Sequence, residues 1–168
     1  AGHQRGPGRT AGRANARGRH QGVIRAVLDT NVLASGFVGF ANAERAPARL
    51  LHLWRAQRFE LVISAEILTE LLNTFADPYF HRRLTSEQIE SAQFMLHNEA
   101  TTASLTLQVD GVATHPEDDL VLALALSAGA DYLVSGDKQL QRIGRHQGIS
   151  VVSPRQFLAL LEQDETTP

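Results

Sequence analysis

The chain contains no cysteine. Disulfides and thiolate metal sites are therefore excluded, and the composition suits a cytosolic protein. No apolar run approaches the length of a membrane span, and no signal-peptide core follows the basic N-terminal residues. The seven histidines are scattered without zinc-like spacing, and His115-x-Glu117 is an isolated pair. Internal repeats are absent. At 168 residues the chain holds one ordinary domain rather than two.

Acid is missing from one segment in particular. Residues 1–22 carry Arg5, Arg9, Arg13, Arg17 and Arg19 but no Asp or Glu. Gly and Ala fill most of the rest, so the segment cannot bury a core and is expected to be a disordered arm. It is either a phosphate-contacting arm or an extension without a role. The remainder holds 11 of the 16 Lys+Arg and all 18 Asp+Glu, a net of −7. A basic arm thus precedes an acidic domain over residues 23–163, and 164–168 form a polar tail.

What is present is an alternation of strands and helices. Ile24–Leu28 is a short apolar run rich in β-branched residues and reads as a buried strand. A loop is expected next, with Gly36 and Gly39 as breakers. Leu50, Leu51 and Trp54 mark a helix across 45–58, and Leu61-Val62-Ile63 a second strand. Ser64 caps a helix whose apolar stripe is Ile67, Leu68, Leu71, Leu72 and Phe75, with Glu66 and Glu70 on another face. Asp77-Pro78 ends it. Thr85 and Gln88 open a further helix as a capping box, and 104–109 is expected to form a third strand.

Thr114 and Glu117 suggest another capping box, opening a helix over 118–128 that is apolar almost all round and hence buried. Gly129 stops it. Tyr132–Val134 is a fourth strand, a short helix containing Leu140 follows, Ile149–Val152 is a fifth strand, and Ser153-Pro154 starts the last helix. Such alternation implies a mostly parallel sheet between helical layers.

In a parallel sheet the strand C-termini share one edge, where ligands gather. Asp29 follows the first strand; Ser135 and Asp137 follow the fourth. Glu70 lies on the helix after the second, and Asp118 and Asp119 open the buried helix. Several carboxylates on one edge repel one another unless a cation joins them. Hard oxygen donors favour Mg²⁺ or Mn²⁺ over zinc, and such an ion recruits phosphate and activates water. Each acid also has a structural role open to it: Asp29 as a turn former, Glu70 as an exposed helix charge, Asp118 and Asp119 as first-turn residues favoured by the helix dipole, and Asp137 as an N-cap.

Four segments together resemble the PIN-domain family. They are Leu28-Asp29-Thr30-Asn31-Val32-Leu33, Ser64-Ala65-Glu66-Ile67-Leu68-Thr69-Glu70-Leu71, Asp118-Asp119-Leu120-Val121-Leu122-Ala123-Leu124-Ala125 and Ala130-Asp131-Tyr132-Leu133-Val134-Ser135-Gly136-Asp137. The resemblance spans about residues 24–160 and is strongest to the VapC-like toxin components of bacterial and archaeal toxin–antitoxin systems. It implies an α/β fold, a three-layer αβα sandwich around a parallel five-stranded sheet of order 3-2-1-4-5. It implies a cytoplasmic endoribonuclease dependent on Mg²⁺ or Mn²⁺, an RNA substrate, a homodimer and a cognate antitoxin.

By motif position the resemblance makes Asp29, Glu70, Asp119 and Asp137 the catalytic metal ligands, Asp137 acting through water. Asn31 and Ser135 would support them, and Asp118 stands in reserve beside Asp119. Ser135 occupies a position where the family commonly has Thr. The Arg-rich arm departs from the family pattern.

The alternative is a catalytically silent PIN-like module that binds RNA or protein. A phosphoryl-transfer switch fits less well, because its paired acids should end the first strand. Phosphate contacts are expected among Arg25, Arg45, Arg49, Arg55, Arg58, Arg82, Arg83, Lys138, Arg142 and Arg145. An apolar helical surface near 50–59 is a candidate dimer face.

Overall fold

The computed structural model describes residues 22–165. The arm over 1–22 thus lies almost entirely outside the described residues, as does the end of the polar tail. The elements run β1 (Arg25–Leu28), α1 (Thr30–Val38), α2 (Ala46–Arg55), β2 (Glu60–Ile63), α3 (Ala65–Ala76), α4 (Pro78–His81), α5 (Ser86–Glu99) and β3 (Thr101–Thr102). They continue with α6 (Pro116–Ser127), β4 (Tyr132–Val134), α7 (Lys138–Gln141), β5 (Arg145–His146), β6 (Ile149–Val152) and α8 (Pro154–Asp164).

The sheet order is β3-β2-β1-β4-β6-β5, parallel throughout except for the β5–β6 pair. The expected 3-2-1-4-5 order is therefore present, with one two-residue antiparallel strand added at the edge. Chain connections reverse direction between β1 and β4, which places the topological switch point beside Asp29. Val27, Leu28, Leu61, Leu122, Leu124, Leu133 and Val134 are buried in the core between the layers. Among the described residues no helix is long and apolar enough to cross a membrane.

Three local expectations are corrected. The segment after β1 is helix α1 rather than a loop. Val32, Leu33, Gly36 and Phe37 are all buried in it, an i, i+1, i+4, i+5 stripe that its glycine obscured. Gly36 is there because α1 and α2 meet closely. A Cβ on it would lie 2.7 Å from Leu51 Cδ1 and 2.9 Å from the Pro47 carbonyl oxygen. The third strand is Thr101–Thr102, paired with Val62 and Ile63, rather than 104–109. In the latter stretch the Thr106 and Leu107 amides both donate to the Ser127 hydroxyl at 3.0 Å, so a side chain takes the place of a strand ladder.

Thr114 does not cap α6. His115 occupies the N-cap without a side-chain bond, and the loop before the helix is held from inside it by Asp119. The other signals form as expected: Ser64 accepts from the Ile67 amide, and Thr85 and Gln88 close a reciprocal capping box. Gly129, at φ +63°, follows the end of α6 as a left-handed cap. The apolar surface considered for a partner is internal: Leu50, Leu51, Trp54 and Phe59 are all buried, and Phe59 meets Phe157 of α8 edge to face.

Candidate active site

At the C-terminal edge of the sheet, β1 and β4 end side by side. The Asp29 amide donates to the Val134 carbonyl, fixing the end of β1 against β4. The Ser135 hydroxyl then donates to Asp29 Oδ2 at 2.9 Å and accepts from the Asp137 amide at 3.1 Å. One fully buried hydroxyl thus ties together two acids that are far apart in the chain. Asp29 sits at the N-cap of α1, yet its carboxylate makes no cap bond. The turn-former role is therefore not what occupies its side chain.

Asp29, Glu70, Asp118 and Asp137 line one cleft of about 720 Å³, together with Asn31, Ser35, His115 and Glu117. Glu70 comes from the second turn of α3, on the face away from its apolar stripe. Asp118 comes from the first turn of α6. Asp137 also caps α7, but both of those bonds use Oδ1, which leaves Oδ2 outside the cap. Capping and cleft-lining are compatible in this residue.

Asp119 is placed differently. It is buried, and its two oxygens accept from the backbone amides of Gly111, Val112 and Ala113 at 2.8–3.2 Å. Successive helical residues point about 100° apart, so of the Asp118-Asp119 pair one faces the cleft and the other holds the preceding loop. The structure brings together Asp29, Glu70, Asp137 and Asp118; it does not bring Asp119 to them.

The electrostatics follow from burial and crowding. Burial pushes the Asp29 carboxyl above its ordinary pKa. The Ser135 hydroxyl and the Thr30 amide pull it back, and Asp137 adds to the rise. Glu70 is raised first by burial, then by Asp29, with Glu117 and Asp118 adding and the Thr30 hydroxyl opposing. Asp118 is raised by burial, then by Asp29 and Asp137, while His115 opposes and Glu117 adds. The acids therefore feel one another across the cleft, and among the described residues no Lys or Arg lines it.

The donor chemistry fits a hard divalent cation: carboxylate oxygens, an amide and no sulfur. Thr30 Oγ1, buried between Asp29 and α1, has no close hydrogen-bond partner among the described residues, so its interaction with Glu70 is a loose one. Among the described residues no three of the acids and histidines already close into a ligand set.

The family model for the PIN domain matches residues 25–139, most of the chain. The chain belongs to the PIN-domain family. PIN domains are generally nucleases, which makes this one, at that coarse level, a hydrolase. Among solved structures it is similar to PAE2754 from Pyrobaculum aerophilum, with a TM-score of 0.59, 16% identity, and 86% of this chain and 94% of that one covered. It is also similar to VapBC2 from Rickettsia felis bound to a DNA fragment from their promoter. There the TM-score is 0.52 at 17% identity, with 77% and 98% covered. Both likenesses concern the fold. Comparison with curated proteins finds no match.

Two features of this PIN domain escaped the sequence reading. Arg155 opens α8 beside the cleft, and Tyr79, 55% exposed, stands on α4, a helix too short to show periodicity. Among the cations expected to meet phosphate, four are held in ion pairs: Arg25 with Glu60, Arg49 with Glu162, Arg55 with Glu99 and Arg58 with Glu165.

Proposed function

We propose that this PIN domain is a metal-dependent endoribonuclease that hydrolyses RNA phosphodiester bonds, acting in the cytoplasm as the toxin of a toxin–antitoxin pair. The observation that carries the reading is the cleft itself. Asp29, Glu70, Asp118 and Asp137, drawn from distant parts of the chain, line one cleft at the switch point of a parallel sheet with Glu117 beside them, and among the described residues no Lys or Arg lines it. That arrangement is unfavourable unless it has a cation to hold.

Asp29, Glu70, Asp118 and Asp137 would hold Mg²⁺ or Mn²⁺. We assign the ligand position to Asp118 and the loop-holding role to Asp119, because the oxygens of Asp119 already accept three amide protons. When bound, the ion supplies charge neutralisation at the scissile phosphate and a more acidic water. The chain's own groups do the rest. Ser135, by donating to Oδ2, favours the ionised form of Asp29 against the effect of burial and holds the carboxylate in one orientation. Asn31, on the first turn of α1, is placed to orient Asp29 or water in the cleft.

The likeness to VapBC2 supports an antitoxin as the protein partner, and the family resemblance supports a homodimer. One observation favours a second reading, a silent RNA- or protein-binding module: among the described residues no three acids or histidines lie close enough to hold one ion. Titration with Mn²⁺, followed by calorimetry and by cleavage of single-stranded RNA, separates the two. The nuclease binds the ion in the cleft and turns RNA over only when it is present. A chain that binds RNA but shows no Mg²⁺- or Mn²⁺-dependent turnover is the silent module.

A further inference from the structure

A second, larger groove of about 1290 Å³ adjoins the acidic cleft. The two share Ser35, Pro47, Gly136 and Pro154 as common walls, so they form one continuous depression. Their charges are opposite. Among the described residues the cleft has acids and no Lys or Arg, whereas the groove is lined by Arg45, Arg49, Arg83, Lys138 and Arg155, with Glu44 the one acid beside them. Arg49 is paired with Glu162 on α8. Arg45, Lys138 and Arg155 are exposed and stand at the starts of α2, α7 and α8.

At the far wall Arg83 stacks on the Tyr79 ring, its guanidinium carbon 3.7 Å from the ring centroid. The same guanidinium donates to the Tyr79 carbonyl. Phe80 backs the ring edge to face at 5.0 Å. A planar cation on an exposed aromatic ring, both fixed by short-range contacts, is a surface on which a flat base can stack. Spaced cations leading from such a platform match a sugar–phosphate backbone.

We propose that this groove is the track for a single-stranded nucleic acid. The phosphates that flank the scissile bond on one side run past Lys138, Arg155 and Arg45, and a base is held at the Tyr79–Arg83 stack. The inference rests on the nuclease reading of the cleft and adds to it a set of residues, outside the acidic constellation, that would hold the strand. An acidic peptide would also meet the cations, but it makes no use of an exposed stacking platform or of continuity with a cleft built for phosphate.

The test measures binding in EDTA, so that cleavage plays no part. Fluorescence anisotropy is read with the full chain and single-stranded RNA of about eight nucleotides, within the range of one such binding site. Because the Arg-rich arm is the same in every variant, differences report the groove. Lys138→Gln/Arg155→Gln, at two exposed positions, is expected to weaken binding about tenfold and to flatten the salt dependence by about 1.4 in log–log slope, two phosphate contacts' worth. Tyr79→Ala is expected to weaken it about tenfold and Tyr79→Phe to retain it, because the ring and not the hydroxyl stacks.

Unchanged affinity in both the double variant and Tyr79→Ala overturns the proposal. So does equal binding of a duplex of the same length, or tighter binding of an acidic peptide than of the RNA. The two readings fail separately. RNA bound in the groove but never cut with Mn²⁺ removes the nuclease and keeps the track, whereas cutting by a protein whose variants bind like the parent removes the track alone.

Discussion

The two edges of the central sheet carry similar residues and treat them in opposite ways. At the N-terminal edge Arg25 and Glu60 are direct neighbours on β1 and β2 and form an ion pair at 3.0 Å. Arg25 also donates to the Ala128 carbonyl, and Asp131 accepts from the Arg25 amide. Thr101 donates to Glu60 from β3. Arg25, Glu60 and Asp131 there each have a partner from another segment, so the edge is a clamp across β3, β2, β1 and the start of β4. At the C-terminal edge Asp29, Glu70, Asp118 and Asp137 line one cleft, and among the described residues no Lys or Arg lies with them. Charge that is neutralised internally serves the fold; charge left facing its own kind is kept for something that arrives from outside.

The strongest way to break the comparison is to neutralise one charge at the open edge. Asp29→Asn is expected to lower metal-dependent RNA cleavage by about 10²–10³-fold, the scale of removing one preorganised electrostatic group, with the melting temperature equal or higher. Single-turnover cleavage and thermal denaturation check both halves, and retained activity would remove Asp29 from the mechanism. A finer contrast lies within α6. Asp118→Asn should cost activity by about tenfold or more while leaving stability alone. Asp119→Ala should cost about 1–3 kcal/mol of stability through the orphaned amides of 111–113. Denaturant titration beside cleavage assays distinguishes the two, and the reverse pattern would return the ligand role to Asp119.

At the clamped edge, Arg25→Ala is expected to destabilise by about 1–2 kcal/mol, since it leaves Glu60 with less charge compensation and the Ala128 carbonyl without its donor. Activity per folded molecule should be unchanged. The smallest effect concerns pH. Asp29, Glu70 and Asp118 all have raised pKa values in the folded chain. The native state therefore binds more protons than the unfolded one between the ordinary and the raised values. Metal-free stability should rise as pH falls from neutral through the raised values, then level off below the ordinary carboxylate range. Saturating Mg²⁺ should remove this gain, because the ion competes with the protons. Thermal melts across pH with and without Mg²⁺ read the slope, and a metal-free slope of opposite sign would contradict the crowding of these acids.

Much of this was legible in the chain, and the failures have identifiable causes. The strands β1, β2, β4 and β6 announce themselves as short β-branched runs, and Ser64, Thr85 and Gly129 mark helix ends by chemistry that acts over three or four residues. Strand order and switch point followed from alternation together with the family resemblance. What failed depended on distant partners. Gly36 reads as a breaker until Leu51 and Pro47 are seen against it. The 104–109 stretch reads as a strand until the Ser127 hydroxyl is seen taking its amides. The choice between Asp118 and Asp119 turns on helical rotation at a boundary, where one residue of error reverses which side chain faces the cleft. Tyr79 and Arg155 carried no local signal, because a groove is a property of several elements at once.

The Ser135–Asp29 hydrogen bond spans 106 positions in the chain. During synthesis, at roughly 5–20 residues per second, about 5–20 s separate the emergence of these two residues. Until β4 is made, one side of β1 is bare and Asp29 lacks both its hydroxyl donor and its neighbour Asp137. A nascent chain therefore carries Asp29 for that whole interval without a working constellation, and three of the four acids for roughly 1–4 s of it. On the nuclease reading, chain topology acts as a timer that withholds cutting power from the polysome until the domain is nearly complete.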